Sequence, residues 1–308
     1  MSLNTNAPTV LEGLAETVTL TTTASPLSVH PLTNEHGAEV LDFLAARPLH
    51  TVVMAGHIRD NGLESHFNRG RFYACRNGEG KLEGVALLGH ATLVETRNEA
   101  ALAAFARLAQ THPEAHLIMG EQEKAERFWR YYARVGQEPR RVCSELLFEQ
   151  RWPVEALEPL PDLRLATLAD LQEVMLVQGE MAFAESGINP LEVDLAGFSE
   201  RCARRIEQER VWVWTISGCL MFKADIISDT PEAIYLEGIY VNPHERGCGY
   251  GARCLSQLAQ NLLQRTDALC ILVNEQSQRA RAFFERMGYK LRGRYDTIFL
   301  EETCATGN

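Results

Sequence analysis

Val241-Asn242-Pro243-His244-Glu245-Arg246-Gly247-Cys248-Gly249-Tyr250-Gly251-Ala252 is the stretch on which the fold of this chain turns. Before it, residues 233–241 form a β-rich run. After it, residues 252–263 place Leu255, Leu258, Leu262 and Leu263 on one face of an amphipathic helix. Gly247, Gly249 and Gly251 carry no side chain, so the backbone here can approach a ligand closely and turn its N–H groups inward. The helix that follows adds partial positive charge at its N-terminus. Together these features suit a pyrophosphate. The loop lacks the Gly-Lys-Ser/Thr ending of a Walker loop, and its G-x-G-x-G spacing differs from the G-x-G-x-x-G of a dinucleotide fold. A glycine-rich turn that holds no ligand is the remaining alternative.

Outward from the loop, strands and helices alternate. Strand-like runs at 163–166, 211–216, 220–227, 268–273 and 295–300 are interleaved with helical spacing at 168–184, 195–208 and 276–287. Ser217-Gly218 reads as a hairpin turn and Gly288 as a helix stop. This predicts a mixed α/β layer fold, a sheet flanked by helices. The first half shows a similar order: strands at 71–75, 82–88, 115–119 and 141–148, helices at 99–109 and 124–135. Leu117-Ile118-Met119-Gly120-Glu121-Gln122 echoes Ile271-Leu272-Val273-Asn274-Glu275-Gln276, and each is followed by a helix bearing an aromatic pair, Phe128-Trp129 or Phe283-Phe284. An internal duplication is therefore expected. Between the halves, Pro153, Pro159 and Pro161 mark a linker. The expected plan is a partly disordered N-terminus at 1–30, a domain at 31–150, the linker at 151–162 and a second domain at 163–302. A fragment starting near Pro161 is expected to fold and bind its ligand alone.

The 308 residues suit two domains, and 45% hydrophobic with 23% charged residues is ordinary for a soluble globular protein. A net charge of −11 argues against a nucleic-acid binder, which needs a basic face. No apolar run reaches the roughly 18 residues of a membrane span, and the N-terminus does not read as a secretory signal, so a cytoplasmic protein is expected. The 8 cysteines form no CxxC pair and read as reduced, mostly buried thiols; no metal is expected.

Arg246-Gly247-Cys248-Gly249-Tyr250-Gly251 matches R-x-x-G-x-G, the acyl-CoA motif of the GNAT acyltransferase superfamily, and keeps the preceding V-x-P as Val241-Asn242-Pro243. Val273-Asn274, Ala280-Arg281, Phe283 and Gly288-Tyr289 fall where that superfamily's next motif places them. The order of elements resembles the superfamily over 163–300, and the resemblance is specific over 239–289. It implies acetyl-CoA as co-substrate. Backbone groups of Glu237 through Val241, including Ile239 and Tyr240, would bond the pantetheine arm. The N–H groups of Arg246, Gly247, Cys248, Gly249, Tyr250 and Gly251, with Ala252 behind them, would hold the pyrophosphate. Asn274, Ser277, Arg281 and Phe284 would line the far wall. Two departures stand out: Ser277 where members often have Asn, and Phe284 where they often have the Tyr that protonates the leaving thiolate.

Glu237, on the strand beside the expected acyl group, is the candidate base, and Glu185 is a second candidate from the segment that positions acceptors in such folds. His244, Trp212 and Trp214 read as surface or packing residues. The implied activity is acetyl transfer to the primary amine of a small molecule or peptide by direct attack in a ternary complex, since no nucleophile–base pair stands out. The alternative is a CoA-binding sensor with little turnover. A homodimer is compatible with both. The first half resembles the N-terminal domain of tandem GNAT chains. Its corresponding segment, Gly89-His90-Ala91-Thr92-Leu93-Val94-Glu95, has no R-x-x-G-x-G, which implies a degenerate domain that binds no CoA.

Overall fold

The computed structural model describes residues 27–301. The first half contributes β1 (Ser28–Pro31), α1 (Gly37–Ala45), α2 (Pro48–Asn61), β2 (Gly70–Arg76), β3 (Leu82–Gly89), β4 (Ala91–Thr96), α3 (Glu99–Ala109), β5 (Leu117–Glu121), α4 (Gln122–Tyr132) and β6 (Arg141–Gln150). The second contributes β7 (Arg164–Leu165), α5 (Leu171–Ser186), α6 (Pro190–Val193), α7 (Leu195–Glu207), β8 (Val211–Ile216), β9 (Cys219–Asp229), β10 (Ile234–Val241), α8 (Tyr250–Leu262), β11 (Leu269–Asn274), α9 (Gln278–Arg286) and β12 (Lys290–Phe299). Each half runs through antiparallel strands into a parallel pair joined by a helix, β4–α3–β5 and β10–α8–β11, then a helix and a last strand.

The twelve strands of the described residues join one mixed sheet in the order β1-β2-β3-β4-β5-β12-β6-β11-β10-β9-β8-β7. The order contains an exchange. The last strand of the first half, β6, pairs with β11, while the last strand of the second, β12, pairs with β5, and the two exchanged strands pair with each other. A cut at 151–162 therefore separates the chain in sequence but not in space, and the expectation of a self-sufficient fragment from Pro161 is corrected: it would lack the strand between β11 and β12. The Pro-rich segment is no free tether either. Val154 and Leu160 are buried in the core under α8, Leu160 N donates to Gln257 Oε1 at 2.8 Å, and Arg253 Nε donates to Glu158 O at 2.8 Å.

Local chemistry explains the elements that the sequence predicts. Ser217 and Gly218 both take positive φ, 50° and 82°, the twist that a two-residue hairpin needs. Leu255, Leu258 and Leu262 of α8 are fully buried against Phe222, Ile226 and Leu236 of the sheet. α2 escapes the sequence because its apolar residues fall on no single face: Val52, Met54 and Ile58 are buried, and so are Thr51 and Gly56. The helix crosses from its own half onto β9, where an added Cβ on Gly56 would lie 2.6 Å from Ser228 Cβ. At the N-terminus, the expected disorder up to residue 30 is corrected in part, because 28–31 form β1 against β2; residues 1–26 lie outside the described residues. Among the described residues no helix is long and apolar enough to cross a membrane.

Candidate active site

β10 and β11 pair in parallel only from Ile234/Leu269 to Leu236/Ile271. Beyond Leu236 they part, which leaves the β11-facing edge of β10 open. A bulge sits at the same point: the register with β9 slips between Glu237 and Tyr240, with Gly238 at φ 62°. In a regular strand Glu237, Ile239 and Val241 would share a face. The slip turns Ile239 and Val241 into one cleft and Glu237 into another on the opposite side. Gly238 is needed here for space as well as for φ, since an added Cβ would lie 2.7 Å from Lys223 Nζ.

The first cleft, of about 640 Å³, is lined by Ile239, Val241, the loop glycines 247, 249 and 251, Ala252, and Ser277, Ala280, Phe283 and Phe284 from α9. Gly247 and Gly249 take φ of 92° and 85°, and a Cβ on either would project into open space. Gly249 caps α8 with no side chain, and the amides of Arg246, Gly247, Gly249, Tyr250 and Gly251 donate to no protein group among the described residues. Such a cradle of free N–H groups at a helix start suits an anion. Arg246, Arg279 and Arg286 also line the cleft, and none is in an ion pair among the described residues. A diphosphate-bearing ligand fits this donor set.

The matching point in the first half is different. Only Arg97 and Asn98 separate β4 from α3, and Asn98 Oδ1 accepts from Ala100 N and Ala101 N, so the helix amides are satisfied internally. The segment 89–95 is not a post-strand loop, as expected from sequence, but the end of β3, a turn at His90 and most of β4. Where β4 parts from β5, an ionic plug fills the gap: Arg47 bonds Glu121 at 2.6 Å and Glu95 at 3.2 Å, and Lys124 bonds Glu95 at 2.8 Å.

On the other side of the parting strands lie three carboxylates. Glu237, half-buried on β10, faces Glu145 of β6 and Glu185 near the end of α5. Burial raises all three above the ordinary carboxylate value, Glu145 to about 7 and Glu185 to about 8, and mutual repulsion adds to the shifts of Glu145 and Glu185. The neighbouring Arg205 opposes the rise at Glu237. Glu145 Oε2 accepts from Thr297 Oγ1 at 2.8 Å. Glu185 remains open to solvent at its residue surface, and so is the least secluded of the three.

Other predicted residues are placed as follows. Ser277 lines the cofactor-side cleft and caps α9 by accepting from Ala280 N at 3.4 Å. Phe284 lines that cleft from below, 5% exposed, its ring against Phe148, Phe283 and Tyr289. The side chain of Tyr240 packs instead against the cluster that Val174 and Val177 form with Val211 and Val213, and the Tyr250 ring lies tilted against Trp214 with centroids 4.8 Å apart. Cys248 is exposed. Asn274 turns its carboxamide to Gln276 N at 2.9 Å, and Arg281 Nε is buried without a partner. The sequence missed Glu145, Glu155, Leu157, Arg279 and Arg286. The two arginines are seven apart on α9 and share a face, a legible signal. Glu145 was hidden because nothing local tells that β6 crosses over. No group of three or more His, Cys, Asp or Glu among the described residues is placed to hold a metal ion.

Residues 207–291 match the family described as Acetyltransferase (GNAT) domain. No curated protein matches the sequence. Among solved structures, a Drosophila protein aligns with a TM-score of 0.65 at 13% identity, covering 89% of this chain and 98% of that one. A GNAT-family acetyltransferase from Colwellia psychrerythraea aligns at 0.57 and 11% identity, covering 90% and 100%. A tandem GNAT protein from the clavulanic acid biosynthesis pathway aligns at 0.55 and 15% identity, covering 89% and 98%. The segment 207–291 thus matches the GNAT acetyltransferase domain family, and the chain as a whole has the tandem GNAT fold.

Proposed function

We propose that this protein is an N-acetyltransferase that takes its acyl group from acetyl-CoA and passes it to a primary amine in a ternary complex. The observation that carries this reading is the divided geometry at Glu237. A cleft with an uncapped helix start and unpaired arginines lies on one side of the parted strands, and a carboxylate cluster lies on the other. The open edge of β10 would bond the pantetheine arm as an added strand, and the free amides of Arg246, Gly247, Gly249, Tyr250 and Gly251 would hold the pyrophosphate. Glu237 would take the proton from the acceptor ammonium, directly or through water, with Glu185 as a second base within the same cluster. The C–N bond then forms as the C–S bond breaks. Phe284 has no proton to give, so the sulfur would draw its proton from water. The first half would hold the second in shape and wall the acceptor side, without binding CoA itself.

Phe284 favours one other reading, a CoA-binding sensor with little turnover. Acetyl-CoA titration by calorimetry, followed by a primary-amine screen for CoA release, tests both. Binding with release is expected. Binding without release from any amine would favour the sensor, and absence of binding would sink both.

A further inference from the structure

The second cleft, of about 670 Å³, runs between the two halves and has Glu237 among its lining residues. Its walls come from the end of α2, from residues 66–69, and from α7. Its volume is that of a small-ligand site. In a chain of net charge −11 it gathers Arg69, Arg201, Arg204, Arg205 and Arg210. Three of these are paired internally: Arg201 with Asp194 at 3.1 Å, Arg205 with Asp225 at 3.0 Å and Arg210 with Asp60 at 2.5 Å.

Arg69 and Arg204 are not paired with any carboxylate among the described residues. Both are nonetheless held in place. Arg204 donates from Nη2 to Asn61 Oδ1 at 2.9 Å, and its guanidinium carbon lies 3.4 Å from the centroid of the Phe67 ring, leaving the rest of its planar fork free. Arg69 sits at φ 50°, a left-handed conformation that is costly for a side chain of this size. It is fixed there because His90 N donates to Arg69 O at 2.8 Å and because Gly70 and Gly89 let β2 and β3 close tightly beside it. Burial disfavours the charge on Arg69, the Arg201 guanidinium adds to this, and the Asp194 carboxylate opposes it. Two cations held in place without a carboxylate partner, in a cleft that ends at a candidate base, call for an anion from outside.

Resting on the acetyltransferase reading above, we infer that the acceptor is a small amine that also bears a carboxylate or phosphate group, its amine at Glu237 and its anionic group on Arg69 and Arg204. Arg69 comes from the first half and Arg204 from the second, so the acceptor site exists only where the halves meet. This gives the first half a part in acceptor choice.

The test uses the full chain with three matched amines, butylamine, 4-aminobutyrate and 2-aminoethyl phosphate, and with 1,4-diaminobutane as a dicationic control. Binding is followed by calorimetry in the presence of CoA, so the result does not depend on turnover. The inference expects one or both anionic amines to bind at least about 10- to 100-fold more tightly than butylamine, the range of a charge-assisted hydrogen bond; which of the two is preferred separates carboxylate from phosphate. The preference should collapse toward unity in Arg204→Ala and in Arg69→Ala. In Arg204→Glu it should turn toward 1,4-diaminobutane. Arginine-dependent binding without CoA release would leave this inference standing and overturn the acetyltransferase reading. Equal binding of all three amines, or a preference that survives both alanine substitutions in folded protein, would overturn the inference even if acetyl transfer is seen.

Discussion

Leu146, in the strand that ends the first half of the chain, lies in register with Val273 of β11 in the second. On its other side the same residue faces Arg294 of β12, which in turn borders β5. Separate expression of 1–160 and 161–308 should therefore give two unstable fragments, each lacking an interior strand of its sheet. Co-expression should restore a soluble complex that binds acetyl-CoA. Size-exclusion chromatography and circular dichroism decide the matter. A folded, CoA-binding 161–308 fragment would contradict the exchange.

Gly249→Val should abolish the rise in melting temperature that acetyl-CoA confers by binding the folded state. The new side chain would stand in open space before the free amides of α8, where the diphosphate is expected. Its left-handed φ should also cost about 1–2 kcal/mol of stability. The comparison is between shifts, with the ligand-free variant confirmed as folded. An unchanged shift would remove the loop from the site.

Glu145 and Glu185 predict a pH dependence of definite sign. Both hold their protons in the folded chain up to about 7 and about 8, against an ordinary value of 4.5. The folded state thus binds more protons than the unfolded one between those limits, and stability falls as pH rises through that window. Activity runs the other way, because a base must be ionised: kcat/KM should rise at a pH above the ordinary carboxylate range, since burial raises Glu237, and through about 8 if Glu185 is the base. Glu145→Gln should flatten the fall in melting temperature and move the rise in kcat/KM to lower pH, by removing one of three repelling charges. A variant with the wild-type profile would show that the carboxylates are not coupled.

Phe284→Tyr should leave CoA affinity nearly unchanged, because the ring already fills the wall, and should raise turnover about 10-fold if the thiolate now lacks a proton donor. Steady-state rates at several pH values on the best amine test this. An active wild type that gains nothing would mean that another group supplies the proton.

The outline of this fold could be read from sequence because its decisive features are local. The loop at 241–252, the hairpin at Ser217-Gly218 and the apolar stripe of α8 each state their geometry within a few residues. Glu237 could be named as a candidate for the same reason, being a lone carboxylate in a strand beside the loop. Features made by distant segments were not legible. Glu145 reaches the site only through strand exchange, Arg69 and Arg204 line one cleft only because the halves come together, and α2 is buried on too many sides to show a helical period. Leu157 reaches the cofactor side from a segment whose prolines suggested only a spacer.

The placement of β12 has a consequence for the order in which the chain is made. When the first 150 residues leave the ribosome, the sheet they can form ends at β5 with a raw edge, because the strand that covers it, 290–299, is synthesised only after most of the second half. β6 is already present but has neither of its native neighbours, β11 and β12. A nascent chain in this condition exposes strand edges for the whole time needed to translate the second half, and exposed edges invite pairing with other chains. Unlike proteins whose domains fold one after another, this molecule cannot complete its first half until translation of its second is nearly done. Its yield in the cell should therefore depend on chaperones that shield nascent chains.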